Sequence, residues 1–79
     1  MSQNLREGRF LYYVRPSGTL WELAFGPGGS RFLYETQDEA LEAARVAARL
    51  HWHSTSHPSG VAIDAPGARW TVDYFGNWV

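Results

Sequence analysis

From Thr36 to Leu50 the chain runs for fifteen residues without a glycine or a proline, and five of the fifteen are alanine. Such a run has high helix propensity throughout. Its start is marked as well. Thr36 and Glu39 stand at capping-box spacing, where the hydroxyl serves the amide of residue 39 and the carboxylate can reach back to the amide of residue 36. Asp38 and Glu39 put negative charge in the first turn, and Arg45 and Arg49 put positive charge towards the end, as the helix dipole favours. At about 100° per residue, Ala40, Leu41, Ala44, Ala47, Ala48 and His51 share one side, with Ala43 and Leu50 at its margin. Asp38, Glu42, Arg45 and Arg49 take the opposite side, with Glu39 and Val46 near its edge. A face built of alanine lets the helix approach its neighbour closely, so the neighbour has to supply the bulk of the core.

A chain of 79 residues makes one domain, and at this size only about 60% of the unfolded surface is buried on folding. Dense side chains are needed, and four Trp, four Tyr and four Phe provide them. The chain has no cysteine, which excludes disulfides and zinc–thiolate sites and fits a reducing cytoplasm. Residues 1–8 are polar, without the apolar centre of a signal peptide, and no apolar run approaches the ~20 residues of a membrane helix. The expectation is a soluble cytoplasmic protein with a flexible tail over 1–8 and a single domain over 9–79. The net charge is −1, and all seven basic residues are arginine. Codon bias in a GC-rich genome explains that preference. So would a need for forked contacts to carboxylate or phosphate.

Around the helix the chain reads as short strands. Arg9 to Arg15 is aromatic and β-branched; Pro16-Ser17-Gly18 is a turn; Thr19 to Phe25 alternates. Gly26 to Ser30 is a glycine-rich connection, and Arg31 to Glu35 a third strand leading into the helix. His51 to Gly60 reads as a polar loop, followed by strands at Val61 to Ala65 and Ala68 to Phe75 across a Pro66-Gly67 turn. The order β-β-β-α-β-β predicts an α+β fold of two layers, an antiparallel sheet packed on one face by a single helix. Alternation puts Phe10, Tyr12, Val14, Trp21, Leu23, Phe25, Phe32, Tyr34, Val61, Ile63, Trp70, Val72 and Tyr74 towards the helix. Leu11, Tyr13, Arg15, Glu22, Arg31, Leu33, Glu35, Asp64, Arg69, Thr71, Asp73 and Phe75 would then face away.

The run Tyr13-Val14-Arg15-Pro16, then Gly18 and Trp21, Thr36-Gln37-x-Glu39-Ala40, Ala44-Arg45 with Ala48, Val61-x-Ile63, and Gly67 before Trp70 to Tyr74 resembles a small bacterial family known as a domain of unknown function. The resemblance covers roughly Phe10 to Tyr74. It implies the fold above and no catalytic or binding residues. The turn before Trp21 and the segment His51 to Gly60 are longer here than that pattern has them. Trp21, Phe32, Thr36, Glu39 and Ala40 are also similar to the arm-binding domains of phage integrases and to plant-type DNA-binding domains that read DNA with a sheet. Those carry a basic sheet, whereas Glu22, Glu35 and Asp64 stand beside the arginines here.

No catalytic signature emerges, and the chain is not expected to be an enzyme. There is no Gly-x-Ser-x-Gly elbow, the glycines of 26–29 are followed by no phosphate-binding lysine, and Asp64 and Asp73 read as ordinary acids on a solvated face. His51-x-His53-x-x-x-His57 could ligate zinc, nickel or copper; the plainer reading is a polar loop with His51 half-buried. No cofactor is implied. Tyr13, Arg15, Arg31, Arg69, Phe75 and Trp78 form the candidate interaction surface. These readings converge on a small non-catalytic binding or protein-interaction module, engaging a twin copy as a homodimer or a protein partner through its open sheet face or edge. The alternatives are a nucleic-acid-binding module that uses the open sheet face, where arginine and aromatic side chains stack bases, and metal binding by the histidines.

Overall fold

The computed structural model describes residues 10–25 and 31–76. Five strands and one helix follow in the order β1 (Phe10–Ser17), β2 (Leu20–Phe25), β3 (Arg31–Tyr34), α1 (Gln37–Thr55), β4 (Ser59–Ala65) and β5 (Ala68–Phe75). The fold is the expected α+β arrangement, a single helix packed on one face of a sheet. The sheet itself is mixed, in the order β3-β2-β1-β4-β5. Its two hairpins and the β2–β3 pair are antiparallel, but β1 and β4 lie parallel, Phe10 beside Ser59 and Val14 beside Ile63. This corrects the expectation of a wholly antiparallel sheet. Two hairpins flank a helix that carries the chain back across the sheet, and a crossover of that length delivers a parallel strand.

The alanine face packs as its composition demands. Ala40, Ala44 and Ala48 are fully buried with Leu41 beside them, against Val14 and Val61 in the central strands and Tyr12, Leu23 and Ile63 around them. Ser59 opens β4 inside this contact and donates its hydroxyl to the Ala48 carbonyl, so the first turn of the strand hangs from the helix. An aromatic cluster closes one end. Phe10 and Tyr12 meet edge to face at 5.0 Å, Phe25 lies 5.0 Å from Tyr12, and Phe32 stacks on Phe25 at 6.2 Å.

Two features escape sequence reading. The helix runs to Thr55, so His51 to Thr55 are helical and not loop. It ends where Ser56 turns into the left-handed region at φ 63°, its amide donating to the Trp52 carbonyl at 2.9 Å. Thr55 closes the last turn by donating to the His51 carbonyl and accepting from the His57 amide. A serine does here what glycine usually does, so the stop carries no glycine to announce it. At the start, Thr36 accepts from the Glu39 amide at 3.1 Å, while the return bond of the capping box is not made and the Glu39 carboxylate stays at the surface.

The second feature is a shift of register in β5. Val61 pairs with Asp73 but Ala62 pairs with Thr71, leaving Val72 as an extra residue. A bulge of this kind reverses alternation beyond it. Asp73 and Phe75, expected to face away, lie on the helix side: Asp73 accepts from Arg45, and Phe75 packs against the core beneath the Arg49 guanidinium, 5.6 Å from its ring centre. Tyr74, expected in the core, is exposed. The arginine flank of α1 is therefore bonded to β5 and is not simply a solvated face.

Two measurements follow. Ala44→Leu overpacks the helix–sheet contact and should lower unfolding free energy in urea by about 1–3 kcal/mol. Burial raises the pKa of the Tyr12 phenol above its ordinary 10.0. The folded state thus holds that proton more tightly than the unfolded chain, so its contribution is complete below pH 10.0 and is lost as pH rises through the folded value. Tyr12→Phe should abolish this part of the alkaline loss of stability.

Candidate functional site

The helix covers the middle of one sheet face, and two surfaces remain. On the face turned away from α1, one charged residue from each strand forms a row. From β3 to β5 the row reads Arg31, Glu22, Arg15, Asp64, Arg69. Arg15 grips Glu22 through Nε and Nη2 at 3.3 and 3.1 Å and reaches Asp64 at 3.7 Å; Arg31 lies 3.8 Å from Glu22. Arg69 holds both oxygens of Asp64, at 3.3 and 3.2 Å, while its guanidinium lies over the Tyr13 ring at 4.7 Å. The hydrogen bond and charge of Asp64 raise the pKa of Arg69 further above its ordinary range. The pairing follows from register, since Arg15 stands opposite Glu22 and Asp64 opposite Arg69. Opposite charges on facing positions of adjacent strands stabilise each other. The forks to Glu22 and Asp64 are geometry that lysine cannot reproduce. Glu22 has only 7% of its side chain exposed, and Arg15 and Arg31 are the charges it faces.

The row sums to +1, three arginines against two carboxylates, and ends in arginine at both sheet edges. Tyr13, Arg15, Arg31 and Arg69 of the predicted surface are brought together by it. Phe75 is not, because the bulge puts it on the helix side, and Trp78 lies outside the described residues. The histidines part company. His51 stacks on Phe10 at 4.7 Å and 16° between planes; His53, two positions on along the helix, is exposed, and His57 sits beyond the cap. Among the described residues no three potential ligands gather in a metal-binding group.

The second surface is the open edge expected of so small a sheet, but with residues the sequence did not assign to it. Strand β3 ends the sheet, and no strand among the described residues pairs with its outer side. Phe32 and Leu33 are 50% and 57% exposed there, and along the same flank of α1 Val46 and Leu50 are also exposed. Between strand and helix lies a groove of about 590 Å³ with Leu33, Ala43 and Val46 among its walls and Glu35, Glu39 and Glu42 at its rim. A smaller hollow of about 200 Å³ lies on the other side of the edge, formed by Ser17, Glu22, Arg31 and Leu33. Leu33 borders both. The sequence held one hint: Val46 is an aliphatic residue at the margin of the charged helix face. Phe32 sits on the helix side opposite Leu23, as alternation requires, but the helix does not reach far enough over β3 to bury it.

Comparison with protein-family models, with curated proteins and with solved structures finds no match. Among the described residues no helix is long and apolar enough to cross a membrane.

The row distinguishes its two carboxylates. Glu22→Gln leaves arginines facing a buried neutral group and should cost about 1–3 kcal/mol. Asp64→Asn, in a pair with Arg69 59% exposed, should cost less than Glu22→Gln, because solvent screens the pair. Urea unfolding of the two variants measures the difference.

Proposed function

We propose that the protein is a small, non-catalytic, cytoplasmic interaction module that engages other polypeptides at the outer edge of β3. The observation that carries this reading is the exposed edge itself. Backbone groups on the outer side of an end strand are ready to bond an incoming strand. Here they stand beside two large exposed apolar side chains, Phe32 and Leu33, the second of which borders a broad, open groove. A strand that served only to close the sheet would be expected to carry polar residues at such positions.

The nucleic-acid reading has less support. It needs cations free to meet phosphates, and Arg15, Arg31 and Arg69 each already face a carboxylate in the row.

Panning a library of random peptides against the whole chain tests the proposal. Enriched peptides should bind the wild type and lose binding to Leu33→Pro, which removes a backbone donor from β3, while Arg69→Ala at the far edge retains them. Peptides that bind the wild type and Leu33→Pro alike, or a library that yields no binder, would overturn it. In the same preparation, single- and double-stranded oligonucleotides should give no salt-sensitive binding.

A further inference from the structure

The charges on either side of the β3 edge restrict what can add to it. On the groove side stand three carboxylates. Glu35 and Glu39 have no bonded partner among the described residues, and Glu42 meets only Arg45, at 3.9 Å, with 71% of its side chain exposed. On the other side the first charge is Arg31, the end of the row, 68% exposed and the most loosely held of its arginines. Successive side chains of a strand point to opposite faces. An incoming strand therefore meets negative charge on its groove side and the single positive charge of Arg31 on its other side.

A second copy of the chain fits badly. Strand β3 of a twin, paired antiparallel, would put both Arg31 side chains on one face and would set one acidic rim beside the other. Strand β5 of a twin would present Arg69 to Arg31, and its acid on the helix side, Asp73, is already bonded to Arg45. Neither of these pairings offers Arg31 a free carboxylate. Like charges directly across strands are destabilising.

We infer that the β3 edge takes an extended segment of a different polypeptide, one with basic and aliphatic residues at its groove-side positions and an acidic residue beside Arg31. The inference rests on the edge-docking reading above and adds to it the chemistry of the partner. Lysine or arginine suits the groove doubly, laying its aliphatic stem along Ala43 and Val46 while its charged head reaches Glu39 and Glu42. The acidic residue adds a sixth charge to the row and gives Arg31 a carboxylate on its open side.

The test uses the whole chain, isotopically labelled, with two synthetic octapeptides followed by amide chemical shifts. The first, Thr-Val-Glu-Lys-Thr-Val-Glu-Lys, places valine and lysine on one side of the strand and glutamate on the other. The second replaces both lysines by glutamate. The first should shift the amides of Phe32, Leu33 and Tyr34 saturably and bind at least roughly tenfold more tightly than the second. Glu39→Gln should weaken it by roughly two- to fivefold and added salt should weaken it further. Equal affinity of the two peptides at β3 overturns the partner chemistry while leaving edge docking in place. Peptides that leave the β3 amides unmoved overturn both. Light scattering on the free chain completes the set: the monomer mass at high concentration is expected, and a dimer whose dissociation shifts the β3 amides overturns the choice of a foreign partner.

Discussion

Contact between the alanine face of α1 and the central strands is the constraint from which the rest of the molecule follows. With Ala40, Ala44 and Ala48 fully buried, the helix axis comes down close upon Val14 and Val61, and there is little room between them for large side chains. The aromatic residues are displaced sideways into the Phe10–Tyr12–Phe25–Phe32 cluster and to the β5 side, where Phe75 and Trp52 sit. Gly76, at φ +92°, shows how tight that margin is, since a Cβ there would lie 2.7 Å from the Trp52 ring. A single helix so deeply seated covers the middle of a five-stranded sheet and leaves both edges uncovered.

The edges are handled in different ways. On the β5 side the bulge turns Asp73 and Phe75 towards α1, and Arg45 and Arg49 bind them. That flank of the helix is tied to the sheet, by an ion pair from Arg45 and a cation–ring contact from Arg49. On the β3 side nothing comparable occurs: the helix contributes Glu39, Glu42, Ala43 and Val46, none of which bonds to the strand. The molecule is therefore electrically lopsided although its net charge is only −1, with loosely held acids on one flank and arginines in contact with β5 on the other. The row on the opposite face is independent of this asymmetry. It stitches the five strands with alternating charge and spends the arginines a nucleic acid would need.

Legibility in the sequence followed the physical origin of each feature. Composition and period fix a helix, so the start at Thr36 and the buried set Ala40, Leu41, Ala44 and Ala48 could be read directly. The faces of strand residues up to Ile63 could be read from alternation for the same reason, although β1 runs on through Pro16 and Ser17 and β4 begins at Ser59, within segments read as turn and loop. What could not be read depended on single backbone choices. The helix runs on to the left-handed turn at Ser56, which withdrew two histidines, His51 and His53, from a supposed loop and placed the first against Phe10. One extra residue at Val72 exchanged the faces of Asp73, Tyr74 and Phe75. Neither leaves a pattern in residue types, because serine is tolerated in many conformations and a bulge preserves local alternation on both sides of itself. An open edge was expected, but its place at β3 could not be read, for a different reason. Phe32 and Leu33 look like core residues until the reach of the helix is known, and that reach is a property of packing.

The parallel seam between β1 and β4 has a bearing on how the chain folds. Phe10 faces Ser59 across it, a separation of 49 positions (59 minus 10), whereas the hairpins β1–β2 and β4–β5 close over a few residues each. Local pairs form before distant ones because loop closure costs entropy that grows with separation. The two hairpins and the helix are thus early, individually unstable pieces, and the seam is what unites them. Val14 and Val61, the fully buried valines, lie on either side of it, and neither is buried until it closes. Hydrophobic collapse and strand registry are therefore one event, which makes the molecule a single cooperative unit despite its division into three strands before the helix and two after it.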